Sequence, residues 1–99
     1  MRKVDDMTVT VEDKPEHDRY EAVDESGVVA GFAEYRRSDG RVELTHTVVD
    51  DAFEGQGVGS ALARTALDDA RSAGLRVTPT CEFMAGWIDK HPDYADLVG

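Results

Sequence analysis

Apolar and polar residues alternate with a period of two through most of the first half of the chain, which is typical of half-buried β-strands. Turn residues such as Pro15, Gly27 and Gly40 separate the alternating runs. The pattern predicts four strands, at residues 7–12, 19–24, 28–36 and 41–49. Because residues 13–18 form only a short polar link and the later turns are tight, the four strands are expected to form an antiparallel meander.

The period changes to 3.6 after the fourth strand and predicts a helix from Val58 that ends at Gly74. A strand at 75–81 follows, in which Pro79 donates no ladder hydrogen bond, so this strand is expected at an edge, bulged or splayed from its neighbour. A second short helix is predicted before His91 from the apolar residues Phe83, Met84, Trp87 and Ile88. The order ββββ-α-β-α predicts an α+β fold.

Length and charge limit the possible classes of function. The 99 residues suffice for one domain with one modest core, so residues 1–99 are expected to form a single domain. The formal net charge of −10, from 21 acidic and 11 basic residues, disfavours binding to nucleic acid or to an anionic membrane surface. Cationic partners are favoured instead.

The chain has no apolar run long enough to cross a bilayer, and residues 1–6 lack the apolar segment of a signal peptide. A single cysteine, Cys81, cannot form an internal disulfide and lacks the partners of a zinc site. We therefore expect a cytoplasmic protein without a structural metal.

Three glycines, Gly55, Gly57 and Gly59, lie within five positions directly before the predicted helix. Glycines there allow an anion to reach the unpaired amide groups of the first turn, where the helix dipole adds positive charge. A plain tight turn is the alternative. The stretch lacks the lysine of a nucleotide P-loop and does not follow the first strand of a parallel α/β pattern, so these two nucleotide-binding motifs fit poorly.

With its glycines after the fourth strand, the chain resembles the GNAT superfamily of N-acetyltransferases, whose acetyl-CoA signature is Arg/Gln-x-x-Gly-x-Gly/Ala. Gly57 and Gly59 match this signature, whereas Glu54 departs from it. The resemblance is closest to small single-domain GNAT-like proteins and spans residues 19–98. It rests also on His46-Thr47, Cys81-Glu82-Phe83 and His91-Pro92-Asp93-Tyr94-Ala95-Asp96-Leu97.

The resemblance implies a reduced GNAT-like fold with a twisted sheet whose fourth and fifth strands splay apart, and an acetyl-CoA-dependent reaction that needs no metal. The short link at 13–18 leaves no room for the helices that wall the acceptor site in larger GNAT enzymes, so an open acceptor site is expected. The expected acetyl-CoA-binding residues are Thr47, Val48, Val49, Gly55, Gln56, Gly57, Val58, Gly59 and Ser60.

Among the candidate catalytic residues, His46 is the one side chain of the fourth strand that titrates near neutral pH, which suits a general base for an ammonium substrate. By alternation it shares a face with Val42, Leu44 and Val48, so a hydrogen-bonded core histidine is equally compatible. Glu34 and Glu43 are either proton relays or solvated strand residues.

Cys81, at the end of the fifth predicted strand, is either a nucleophile that carries a transient acetyl group or a residue that fills space. Tyr94 resembles the tyrosine that protonates the departing thiolate in many GNAT enzymes, and anchoring of the C-terminal segment is its alternative. His91 is expected to interact with the C-terminal end of the second helix.

The sequence leaves two functions open. One is direct acetyl transfer from acetyl-CoA to a small or peptidyl amine, for which the acidic surface favours a cationic acceptor. The other is a non-catalytic acyl-CoA-binding or protein-interaction module on the same scaffold. Glu54, whose carboxylate is expected to repel a pyrophosphate, favours the second.

Overall fold

A five-stranded β-sheet and two α-helices make up the computed structural model, which describes residues 9–99. The strands lie side by side in chain order, with β1 at Val9–Lys14, β2 at Arg19–Asp24, β3 at Val29–Ser38, β4 at Arg41–Val49 and β5 at Arg76–Pro79. Strands β1 to β4 pair antiparallel, whereas β4 and β5 are parallel. The predicted α+β fold, with a mostly antiparallel sheet, is therefore confirmed.

Helix α1 (Val58–Ala73) connects β4 to β5, and helix α2 (Glu82–Asp89) follows β5. Gly57 before α1 and Gly74 after it have φ angles of 82° and 72°. Only glycine adopts this left-handed conformation without strain, so the two glycines determine where α1 begins and ends. The predicted bounds of α1 are confirmed. Short 3₁₀-helices occur at Pro15–His17, Asp51–Phe53 and Pro92–Leu97.

One face of α1 packs on the sheet and forms the centre of the core. Its buried residues are Val58, Ala61, Leu62, Ala63, Ala66, Leu67 and Ala70. Burial of a leucine such as Leu62 contributes about 1.5–3 kcal/mol. At the N-terminal end of α1, a Cβ atom on Gly31 of β3 would lie 2.6 Å from the carbonyl oxygen of Val48 and 3.1 Å from Cγ1 of Val58, so the glycine leaves room for both β4 and α1. The first turn of α1 is thereby held beside β3 and β4.

A β-bulge interrupts the alternation of β4. Tyr35 of β3 pairs with Leu44, but the preceding residue Glu34 pairs with His46, so Thr45 is an extra residue in β4. The hydroxyl group of Thr45 donates to the carbonyl oxygen of Glu34 at 3.2 Å. Because a strand presents its side chains to alternate faces, one extra residue exchanges the two faces for the rest of β4.

The exchange places His46 on the face of the sheet away from α1. Val42 and Leu44, before the bulge, are buried, whereas the side chain of His46 is 71% exposed and Val48 is 47% exposed. The prediction that His46 shares a face with Val42 and Leu44 is wrong, and so is the alternative of a core histidine. After the bulge, Thr47 and Val49 lie on the α1 side of the sheet instead.

The bounds of the edge strands also differ from the predictions. Met7 and Thr8 lie outside the described residues, and β1 continues to Lys14 because Asp13 and Lys14 pair with β2. Strand β5 is shorter than the predicted 75–81, because its ladder with β4 ends at Pro79. Between β1 and β2 the structure has one 3₁₀ turn and no α-helix.

Within residues 9–99, no helix combines the length and apolar character needed to cross a membrane.

Candidate functional site

Strands β4 and β5 separate halfway along β4. Their ladder joins residues 41–44 to residues 76–79 and stops there. The amide group of Cys81 still donates to the carbonyl oxygen of Leu44 at 3.0 Å. Beyond this bond, residues 45–49 of β4 have no β5 partner among the described residues. The predicted splay is present, and it leaves a strand edge able to pair with an extended ligand.

The N-terminal end of α1 lies beyond this gap and has no cap. Gly57 provides no side-chain hydrogen bond, and the first turn contains no acidic residue. The amide groups of Val58, Gly59 and Ser60 meet no acceptor within residues 9–99. Unpaired amides and the dipole of a 16-residue helix together attract an anion to this point.

A cavity of about 410 Å³, here named the glycine-loop cavity, opens at this helix end. Six of the predicted acetyl-CoA-binding residues line it, whereas Thr47, Val48 and Gln56 do not. Phe53, Glu54 and Phe83 complete the lining. The full lining is Val49, Phe53, Glu54, Gly55, Gly57, Val58, Gly59, Ser60 and Phe83.

The glycines of this loop have two different roles. Gly55 and Gly57 have φ angles of 80° and 82°, and a Cβ atom at either would meet no protein atom within 4 Å. The backbone conformation requires glycine there, and the same positions stay open to a ligand. A Cβ atom at Gly59 would lie 2.7 Å from Cζ of Phe83, so Gly59 makes room for this aromatic ring.

Two aromatic residues of α2 complete the site, and sequence reasoning placed both only in an apolar stripe. Phe83 is 41% exposed and packs on Gly59. The indole group of Trp87 donates to Oγ of Ser60 at 3.1 Å. Since that oxygen accepts from Trp87, the hydroxyl hydrogen of Ser60 remains available to an anion.

Cys81 lies at the N-terminal end of α2 and not in β5, because the strand ends two residues earlier. Its side chain is half-buried against the core, and Sγ lies 3.4 Å from Oγ1 of Thr47. The thiol group thus bridges α2 and the unpaired part of β4. The structure brings Thr47 and Cys81 together at the gap between the two elements.

His46 lies beside a carboxylate on the other face of the sheet. Its Nδ1 atom is 3.3 Å from Oε1 of Glu34. Both residues line a second cavity of about 380 Å³, here named the bulge cavity, together with His17, Asp18, Tyr35, Arg36 and Thr45. An imidazole group held by a carboxylate and open to solvent has the arrangement of a general base.

Tyr94 does not reach either cavity. Its hydroxyl group donates to Oδ1 of Asp68 on α1 at 2.7 Å, and this bond is the main reason that the pKa of Tyr94 is raised. Asp68 lies eight residues beyond Ser60, which is about 12 Å along the helix axis. The structure therefore shows Tyr94 anchoring the C-terminal segment to α1.

His91 interacts with the end of α2, as predicted. Its ring stacks on Trp87 at a centroid distance of 3.7 Å, and Nδ1 lies 2.7 Å from the carbonyl oxygen of Trp87. Across residues 9–99, no three histidine, cysteine, aspartate or glutamate side chains are grouped so as to hold a metal ion.

Comparison with known proteins agrees with this geometry. The family model described as GCN5-related N-acetyl-transferase matches residues 19–97, well over half of the chain. In fold, the chain is similar to the NMR solution structure of a GCN5-like protein from Staphylococcus aureus. The TM-score is 0.71 over 93% of this chain and 89% of that one, at 24% identity.

Among curated proteins, the chain is similar to Protein NATD1 of Bos taurus, with 37% identity over 51 residues. Protein NATD1 of Xenopus tropicalis is 35% identical over a stretch of the same length. The matched stretch covers 52% of this chain and less than half of each relative, 45% and 47%.

Proposed function

The chain belongs to the GCN5-related N-acetyltransferase family, and from this we propose that it transfers an acetyl group from acetyl-CoA to an amine. The observation that carries the proposal is the uncapped N-terminal end of α1 beside the unpaired edge of β4. These two features provide an anion site and a strand edge, and they meet at Val49, which lines the glycine-loop cavity.

The residues at the end of α1 and along the free edge of β4 suit two parts of acetyl-CoA, the pyrophosphate and the pantetheine. The amide groups of Val58, Gly59 and Ser60 would hold the pyrophosphate, and the free edge at residues 47–49 would pair with the pantetheine amides. A free amide on that edge would also stabilise negative charge on the carbonyl oxygen, an effect of roughly 3 kcal/mol per donor in other acyl-transfer enzymes. Acetyl-CoA itself supplies the activated thioester.

Direct attack by the amine is the mechanism that we propose. The amine nitrogen forms a bond to the acyl carbon while the bond from that carbon to sulfur breaks, and CoA leaves as its thiol. His46, oriented by Glu34, removes a proton from the acceptor ammonium group. With Tyr94 bound to Asp68, the structure offers no tyrosine from this segment as the acid, so the proton of the thiol comes from solvent or from His46.

The same proposal includes an acceptor that carries a cationic ammonium group, and a cytoplasmic setting. The net charge of −10 attracts an ammonium group at long range. Glu34 and Asp18 in the bulge cavity extend this attraction to the surface beside His46.

Thiol release from acetyl-CoA tests the proposal, measured with a panel of amino acids, polyamines and lysine peptides. We expect release that depends on one class of amine, together with thermal stabilisation by CoA alone. Stabilisation by CoA without release for any amine would instead support a non-catalytic acyl-CoA-binding module. That second candidate is favoured by Glu54, whose carboxylate lines the glycine-loop cavity.

The position of Glu54 predicts the effect of reversing its charge. Glu54→Arg is expected to tighten CoA binding by about 1 kcal/mol, roughly fivefold, because an exposed like charge is replaced by an opposite one. The gain should shrink at high salt. Isothermal titration with CoA at low and high salt measures both.

Asp39→Arg is the matched control, because it makes the same change of charge at the opposite end of β4. Along a nine-residue strand the two ends are roughly 27 Å apart, which exceeds the screening length of the solvent. The assignment would be contradicted if Glu54→Arg left the affinity unchanged at low salt, or if Asp39→Arg raised it equally.

Replacement of Cys81 separates direct transfer from a covalent relay. Under direct transfer, Cys81→Ala keeps at least about a tenth of the activity, the loss reflecting about 1.4 kcal/mol of altered packing beside Thr47. A relay through the thiol predicts near-complete loss, because no other cysteine exists in the chain. Steady-state rates of the two proteins decide between these outcomes.

Intact mass provides a second measurement for the same question. The protein is incubated with acetyl-CoA and no acceptor, and then treated with neutral hydroxylamine, which cleaves thioesters and spares amides. We expect no hydroxylamine-sensitive adduct. An adduct that is absent from Cys81→Ala, and that an amine discharges at the rate of turnover, would overturn direct transfer.

A further inference from the structure

A third cavity, of about 410 Å³, concentrates positive charge in this acidic chain. Three guanidinium groups and one carboxylate line it, contributed by Arg36, Arg37, Arg41 and Glu43, together with Ser38 and Thr78. The whole chain has only 11 lysines and arginines against 21 acidic residues. We name it the arginine cavity.

The arginines keep donor groups available in this cavity. Within residues 9–99, no Asp or Glu carboxylate lies within ion-pair distance of Arg36 or Arg41. Arg41 uses Nη1 to bind Oγ1 of Thr78 at 2.9 Å and the carbonyl oxygen of Gly99. The carboxylate of Glu43 accepts from the hydroxyl group of Thr80 at 3.0 Å. A guanidinium group has five N–H donors, so most of those on Arg36 and Arg41 remain free.

The arginine cavity adjoins the bulge cavity, since Arg36 lines both. Along β3, Glu34 and Arg36 alternate with the buried residues Ala33 and Tyr35, so both lie on the face away from α1. Glu34 and Arg36 are two residues apart in β3, so their Cα atoms are about 7 Å apart. An acidic group beside His46 and a cationic group thus follow one another on the same surface.

We propose that these two cavities bind a single acceptor that is zwitterionic. Its ammonium group lies beside Glu34 and His46, and its anionic group, a carboxylate or a phosphate, is bound by Arg36 and Arg41. The inference rests on the proposed function and names its substrate class: a small amino acid or an amino phosphate ester, in place of a polyamine.

The net charge of the chain favours a small zwitterion over an acidic macromolecule. At −10, the chain repels a polyanion strongly at long range, whereas an amino acid zwitterion carries no net charge and an amino phosphate ester carries at most about one net negative charge. In the arginine cavity, the anionic group of the acceptor contacts a planar guanidinium group, which binds carboxylate and phosphate in a bidentate manner. A polyamine would place a second cation against these arginines.

Paired acceptors test the assignment. Thiol release is measured with β-alanine against β-alaninamide, and with phosphoethanolamine against ethanolamine, and the ratio of kcat/KM within each pair isolates the anionic group. In Arg36→Gln and Arg41→Gln, we expect at least one of these ratios to fall about tenfold, the value of one charge-assisted hydrogen bond. The pair whose ratio falls identifies carboxylate or phosphate as the anion.

Lys90→Gln is the matched control, because it also removes one positive charge but lies at the end of α2 and lines neither cavity. Its ratios should stay within about twofold of the parent. Ratios that stay unchanged in both arginine variants, or that fall equally in Lys90→Gln, would overturn the proposal.

A binding measurement separates failure of this inference from failure of the proposed function. Side-chain Nε–H resonances of Arg36 and Arg41 are followed by NMR without acetyl-CoA, while β-alanine, phosphoethanolamine or their counterparts without the anionic group, β-alaninamide and ethanolamine, are added. Shifts that need the anionic group and vanish in the variants support the zwitterion site, even where no amine releases thiol. Thiol release with no such shift for either anion would retain the acetyltransferase and overturn the zwitterion site.

Discussion

His46→Gln is expected to lower kcat/KM for the best amine acceptor by about 100-fold, the lower range of a general base contribution. Glutamine is polar and can still contact Glu34, which lies 3.3 Å from the imidazole group, but it does not accept the proton of an ammonium group. CoA binding should not change, because His46 does not line the glycine-loop cavity. Initial rates at saturating acetyl-CoA and thermal shifts with CoA measure the two effects separately.

The control for this variant is His17→Gln, which removes another histidine of the bulge cavity. Its activity should remain within about twofold of the parent, as for an ordinary surface substitution. If His46→Gln kept activity at that same level, the base would be another group. Equal losses in the two variants would show that the cavity tolerates no histidine change, and the role of His46 would then be unsupported.

Gly57→Val is expected to abolish the thermal stabilisation that CoA provides. At 100 times its dissociation constant a ligand stabilises by about 2.7 kcal/mol, which is roughly 10 to 20 °C for a chain of this size. A branched side chain at Gly57 would occupy open space in front of the unpaired amides of α1. It would also strain a residue whose φ angle is 82°, at a cost of about 1–2 kcal/mol.

Gly74→Val isolates the effect on the ligand from the strain. Gly74 lies at the other end of α1 and has a φ angle of 72°, and a Cβ atom there would likewise meet no protein atom within 4 Å. The two variants should lose similar stability, but only Gly74→Val should keep the full shift with CoA. A folded Gly57→Val protein, verified by circular dichroism, that gained the parental shift would contradict the glycine-loop assignment.

The glycine-loop half of the site could be predicted because its determinants are close together in the chain. The change of period after the fourth strand and the conformational freedom of Gly57 and Gly74 are local properties, and they locate α1 correctly. An unpaired helix terminus follows directly from where a helix begins. The same local information misplaced Cys81, because the end of β5 depends on its pairing with β4.

The part of the candidate site around His46 and Tyr94 depended on contacts between distant residues. Alternation assumes an uninterrupted ladder, and the bulge at Thr45 arises only from how β3 and β4 pair, so the face of His46 could not be read from β4 alone. The hydroxyl group of Tyr94 donates a hydrogen bond to Asp68, which lies 26 residues away in the chain. Because of this contact, Tyr94 anchors the C-terminal segment to α1, although in sequence it resembled a catalytic acid.

What the sequence by itself determined is the order and type of the elements, the ends of α1 and the position of the glycine loop before it. These follow from periodicity and from glycine, which act over a few neighbouring residues. Only the tertiary structure decided that Phe83 packs on Gly59, that Trp87 binds Ser60, and that the arginines of β3 and β4 share one cavity. Each of these depends on the packing of separate elements, because side chains far apart in the chain meet only when the sheet and helices have assembled.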